Sequence, residues 1–188
     1  MARRCSVGRM ETVGRWTAIT VITPMPAWWD ATLRTNFRRM DRRRRQGRRS
    51  RIMSNLERLS FISFAHWSPV RLPSGRYLVF QSNFNGAAKQ YVEAFARIVT
   101  WGMRGLWAGA TGVPGPLPVA AFEAYIMDQR LPVDHYYCAY PEASTKMVLA
   151  ALELRERHAA LQRRLAPLDE AASAAAMRAF LTDNQRRI

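Results

Sequence analysis

SFISFAHWSPVRLPSGRYLVFQSNFNG, residues 60–86, is the stretch whose reading decides the fold. Ser60 to Val70 and Tyr77 to Phe84 are apolar or alternating runs on either side of Leu72-Pro73-Ser74-Gly75. Proline and glycine there supply turn chemistry, so two antiparallel strands joined as a hairpin are predicted. Asn85-Gly86 ends the second strand. Tyr91, Phe95 and Ile98 follow at helical spacing, with Val92 and Val99 widening the stripe, which predicts a helix.

Upstream, Trp16 to Thr23 is rich in Thr, Ile and Val and stops at Pro24 and Pro26, which cannot donate ladder hydrogen bonds. It reads as a strand. From Pro26 to Met40, Trp29, Leu33, Phe37 and Met40 set one apolar stripe along a helix. Downstream, the glycine- and proline-bearing run from Trp101 to Pro118 is a long irregular connection of the kind that is often functional. Val119 to Arg130 reads as a short helix closed by Leu131-Pro132, and His135 to Tyr140 as a fourth strand ended by Pro141. Ser144 to Leu165 places Met147, Ala151, Leu154, His158, Leu161 and Leu165 on one face of a long helix that Ser144 can cap. The Ala-rich stretch from Asp169 to Ile188 is a helical tail with a thin apolar face.

The resulting organisation is a disordered leader over 1–15, one α+β domain over 16–167 with a basic excursion at 41–51, and a tail over 168–188. Setting the short helix aside leaves β-α-β-β-α-β, a ferredoxin-like order with helices on one face of the sheet and the C-terminal helices added. The other face, with residues such as Phe61, Trp67, Tyr77, Val79, Tyr136 and Tyr140 divided between the two sides, is too apolar to stay bare. A sheet from a second copy is the economical cover.

The 188 residues carry a formal net charge of +15, and ten arginines lie between Arg34 and Arg51 beside one acid, Asp41. The charge thus belongs to a segment, and the rest of the chain is only modestly basic. Cys5 and Cys138 are far apart and suggest neither a disulfide framework nor a zinc cluster, which fits a reducing, cytoplasmic setting. Trp16 to Trp29 is too interrupted by threonine and proline for a signal peptide. No window approaches the roughly 20 apolar residues of a membrane span.

The segments Ser63-Phe64-Ala65-His66-Trp67, Phe80 to Gly86 and Tyr137-Cys138-Ala139-Tyr140-Pro141, with Ile22-Thr23-Pro24, resemble a group of uncharacterised bacterial proteins of dimeric α/β-barrel type. The resemblance runs from about Trp16 to Leu154. It implies a homodimer and sets a prior on architecture. Similar domains in the broader superfamily include antibiotic-biosynthesis monooxygenases, haem-handling chlorite dismutase relatives and dye-decolourising peroxidases, so haem or oxygen chemistry is one version of what it implies. The arginine block departs from the group.

Among candidate residues, His66 has the chemistry of a haem ligand or general base, and equally of a hydrogen-bonded structural histidine. Tyr91 joins it as a candidate catalytic residue. Asn83, Asn85 and Gly86 lie where a strand turns into a helix, suited to an anion or carbonyl, although Asn85 can simply cap the helix. Trp67, Trp107, Tyr125, His135 and Tyr140 complete a set suited to a flat apolar ligand, with core or dimer interface as the plainer use. Arg42, Arg43, Arg44, Arg45, Arg48 and Arg49 form a candidate polyanion site, or else a solvated excursion. There is no phosphate loop, dinucleotide fingerprint, zinc helix or nucleophile elbow, and no metal cluster is expected. Three expectations result: a small-molecule-binding or catalytic homodimer, a nucleic-acid or polyanion binder, or a structural dimerisation module.

Overall fold

A computed structural model describes residues 12–48, 59–98, 105–114 and 117–185. The chain divides into two compact units, residues 1–142 and 143–188. The break falls ahead of the long C-terminal helix, which groups with the tail, whereas the sequence reading places the boundary after Pro167.

The first unit is mixed α+β around an open antiparallel sheet. In chain order it holds β1 (Thr12–Val13), β2 (Trp16–Pro24), α1 (Ala27–Arg45), β3 (Ile62–Leu72), β4 (Gly75–Asn85), α2 (Ala88–Ile98), α3 (Val119–Asp128) and β5 (Arg130–Leu131). The strands run β1-β2-β4-β3, and β5 shares the β1 edge of β2. β2 and β4 pair from Trp16↔Asn85 to Pro24↔Tyr77. Strict alternation along β2 sends Thr17, Ile19, Val21 and Thr23 to one face, where Leu78, Phe80, Ser82 and Phe84 of β4 join them. Burying a threonine requires a partner for its hydroxyl. Thr17 donates to the Gly86 carbonyl at 2.7 Å and Thr23 to that of Leu78 at 3.3 Å.

A β-bulge between Ile62 and Phe64 changes which side chains of β3 face inward. Ile62 packs on the core before it, Ala65 and Trp67 after it. Phe64 and His66 are turned outward, and Phe64 is 70% exposed. Two residues facing one partner is the geometry that produces such a switch.

The helices α1, α2 and α3 bury their apolar stripes on the inner face, through Trp29 and Leu33, Tyr91 and Phe95, and Phe122 and Ile126. Part of the glycine-rich connection is core as well. Leu106, Trp107 and Ala110 are buried, and Gly109 lies so close to the Trp29 ring that a Cβ would strike it. The segment from Leu106 to Ala110 is thus packed structure, while Thr111, Gly112, Pro114 and Leu117 are exposed.

Several expectations are corrected. Thr12–Arg15, assigned to the disordered leader, form a hairpin with β2, pairing Thr12↔Thr17 and Val13↔Trp16. Gly14 turns it with φ +59 beside the Pro141 carbonyl, a conformation that suits glycine. Residues 1–11 lie outside the described residues. His135 to Tyr140, the expected fourth strand, is irregular and pairs with no strand among the described residues; His135 is exposed, Tyr137 and Tyr140 are each 77% exposed, and Tyr136 and Cys138 are only half-buried. The place on the sheet edge goes instead to Arg130–Leu131, paired with Val21 and Thr20. Pro132, lacking an N–H, stops that ladder.

The second unit is a pair of helices, α4 (Thr145–Leu165) and α5 (Glu170–Asn184). Ser144 accepts from the Met147 N–H at 3.2 Å and Asp169 from that of Ala172 at 2.8 Å, so each start is capped as the sequence allows. Of the stripe expected to face inward only Leu161 is buried; Met147 is exposed, and His158 is an exposed ring edge-on to Phe180. The Ala-rich α5 brings few side chains large enough to cover it.

Candidate functional site

The expected ligand set is divided by the sheet. His66 pairs in register with Gln81, and Phe64 with Asn83, so His66 and Asn83 stand on the open face. Trp67, Tyr91 and Trp107 are collected on the opposite, helix side. Trp67 stacks on Phe80 at 5.0 Å and meets Trp107 edge-on at 6.2 Å, while Tyr91 stacks on Phe84 at 3.9 Å. Tyr125 packs at the border of this core and donates to the Thr111 carbonyl at 3.1 Å. Asn85 donates its amide to the Arg15 carbonyl at 3.0 Å, and the Tyr140 carbonyl accepts from the Trp16 indole at 3.2 Å, so these two belong to the corner where β2 begins. His135 lies on the exposed segment after β5.

Haem does not fit this arrangement. The aromatic cluster and His66 are on opposite faces, so His66 cannot reach a macrocycle held among Trp67, Tyr91 and Trp107. Among the described residues no group of three His, Cys, Asp or Glu could hold a metal ion.

Within the aromatic cluster, the Trp67 and Trp107 indole N–H groups and the Tyr91 hydroxyl are buried without a hydrogen-bond partner among the described residues. Burial pushes the Tyr91 hydroxyl far above its ordinary pKa, outweighing an opposing effect of nearby Ser82. At neutral pH the Tyr91 hydroxyl is therefore protonated and able to donate. The second unit has a groove of about 410 Å³ lined by residues that include Arg157, Leu161, Arg164, Phe180 and Asn184.

The strongest electrostatic feature was not among the expected sites. Asp30, in the first turn of α1, has no exposed side-chain surface. Its Oδ1 accepts from Arg34 Nε at 2.6 Å; its Oδ2 accepts from Arg71 Nε at 2.9 Å and also faces Arg71 Nη2 at 2.8 Å and Arg76 Nε at 3.7 Å. Arg34 Nη2 further donates to the Pro69 carbonyl at 2.7 Å. Burial alone would raise the Asp30 pKa, but the hydrogen bonds and charges of Arg34 and Arg71 outweigh it and hold the carboxyl below its ordinary value. Arg71 and Arg76 are direct cross-strand partners beside the Pro73-Ser74 turn, and like charges opposite one another repel unless a counter-charge such as Asp30 stands against both.

The arginine block begins in the same helix. Asp41–Arg45, expected as the start of an excursion, continue α1, which ends at Gln46 with Gly47 at φ +69. Arginine is a good helix former, and Arg42 to Arg45 sit where cations complement the helix dipole. Arg38, Arg39, Arg42 to Arg45 and Arg48 are exposed, and Arg49 lies outside the described residues. The helix thereby presents regularly spaced guanidinium groups, a surface that can take up phosphates. Compared with known proteins, the chain matches no protein family, no curated protein and no solved structure.

Proposed function

We propose that this protein binds a polyanion, a nucleic-acid strand first of all, through the arginine face of α1. One observation supports the reading: the block is helical through Arg45, so Arg38, Arg42 and Arg45 recur on one side of a rod at about one turn, near 5.4 Å per step. Each phosphate so neutralised releases counterions, giving affinity that falls steeply with salt and carries no sequence preference. The test is anisotropy of a fluorescein-labelled single-stranded oligonucleotide across a salt series. Replacing Arg42, Arg43, Arg44 and Arg45 together with alanine should flatten the slope of log affinity against log salt by about 0.7 for each lost contact. An unchanged slope removes the basis of the proposal.

A second reading is that the first unit is a ferredoxin-like domain that pairs with a second copy through its open sheet face and takes an apolar molecule among Trp67, Tyr91 and Trp107. It is favoured by the edge-to-edge order β5-β2-β4-β3, by exposed Phe64 on the open face, and by three unpartnered donors in one aromatic cluster. No reaction follows from these features. Sedimentation velocity should find a dimer that Phe64→Glu dissociates, and Nile red should quench the tryptophan emission of both species. A monomer at every concentration with unquenched emission sinks this reading.

A further inference from the structure

The arginines around Asp30 are more numerous than the ion pair requires. A single guanidinium fork would satisfy one carboxylate, yet three converge on Asp30 and leave positive charge in excess. Their side chains remain 39% exposed for Arg34, 62% for Arg71 and 42% for Arg76. Arg34 approaches the acid through Nε and Arg71 through both Nε and Nη2, while Arg76 Nε stands off at 3.7 Å. Beyond the Pro69 carbonyl on Arg34, no other partner of these guanidinium groups occurs among the described residues. Asp30 and the Pro69 carbonyl thus hold one side of the Arg34 and Arg71 forks, and the N–H groups left over, with the Nη groups of Arg76, remain on partly exposed side chains.

We propose that Arg34, Arg71 and Arg76, keyed by Asp30, form a preorganised seat for one phosphodiester group of a nucleic-acid strand. The seat lies at the start of α1, and the strand would continue along Arg38, Arg42 and Arg45. This inference rests on the polyanion reading and adds to it a fixed docking point. Arg34 belongs both to the seat and to the line of helical arginines, being four residues before Arg38. Arranging donors before the ligand arrives reduces the entropy lost on binding, which a flexible row of arginines cannot do. An anionic membrane is the poorer occupant. A helix lying on a bilayer needs an apolar face beside its basic one, and α1 has already buried Trp29 and Leu33 in the core, leaving only Trp28 exposed at its first turn.

Charge-conserving changes separate arrangement from charge, because lysine keeps the charge and loses the planar fork. The experiment measures the same labelled oligonucleotide with Arg71→Lys plus Arg76→Lys, with Asp30→Asn, and with the fourfold alanine variant of Arg42 to Arg45. The lysine pair should bind on the order of tenfold more weakly, as expected for loss of charge-assisted hydrogen bonds. Asp30→Asn should also bind more weakly, although it makes the protein more positive; if it fails to fold, as judged by circular dichroism, the lysine pair decides. Affinity unchanged in the lysine pair while the fourfold variant loses binding overturns the seat and leaves the polyanion reading standing. No loss in the fourfold variant, or preference for anionic vesicles over the oligonucleotide, overturns both.

Discussion

The two halves of α1 use their charge in opposite ways. From Ala27 to Phe37 the helix is a core element: Trp29 and Leu33 are buried, Phe37 packs at their border, and a buried acid gathers cations from two strands. From Arg38 onward it buries nothing, and six of its last eight residues are arginine. In the first half each charge has a fixed partner, whereas in the second arginines are crowded with one acid among them. A charge that is anchored contributes to the fold and can be aimed; a charge that is merely crowded contributes to long-range attraction. Net charge records only the second kind well.

The larger effect that tests this contrast is acid sensitivity. Because the folded-state pKa of Asp30 lies below its ordinary value of 3.8, its contribution to stability is fully present above that value and is lost as the pH falls through the folded pKa. Denaturant melts of the native protein and of Asp30→Asn should therefore differ by about 1–3 kcal/mol at neutral pH, the lower part of the range being expected because the arginines are partly exposed and screened. The two curves should converge below the ordinary carboxylate value. A constant gap across the whole pH range would mean that the acid is not anchored by charge at all.

How much of this was legible in the sequence depended on how local the signal was. β2 could be read because Thr17, Ile19, Val21 and Thr23 alternate without interruption, and β3 with β4 because the turn residues stand between two apolar runs. The side of the sheet taken by His66 could not be read, since the bulge near Ser63 exchanges the faces and alternation alone does not reveal it. The Tyr-rich run from His135 carried strand-like residues but found no strand to pair with, while Arg130–Leu131 is too short to show any period. The Asp30 cluster had one local trace, Arg34 four residues on. Arg71, 41 residues from Asp30, arrives only through the pairing of β3 with β4 and their packing on α1. The Arg71↔Arg76 repulsion across a predicted turn was the remaining clue that a counter-charge should be nearby.

The smallest effect belongs to the other half of the helix. Arg42 to Arg45 have exposed side chains and no ion pair among the described residues. Replacing all four with alanine removes favourable cation–dipole contacts at the helix end, worth a few tenths of a kcal/mol each, and also relieves repulsion among neighbours of like charge. Alanine has the highest helix propensity, so the substitution itself does not weaken the helix. These contributions oppose one another, and the melting midpoint should shift by no more than exposed substitutions usually produce, about 0.5 kcal/mol. A thermal melt of this variant beside Asp30→Asn measures both halves on one scale. If the fourfold variant lost stability comparable to the acid variant, the C-terminal arginines would be anchored groups after all, and the division of α1 into an aimed half and a crowded half would fail.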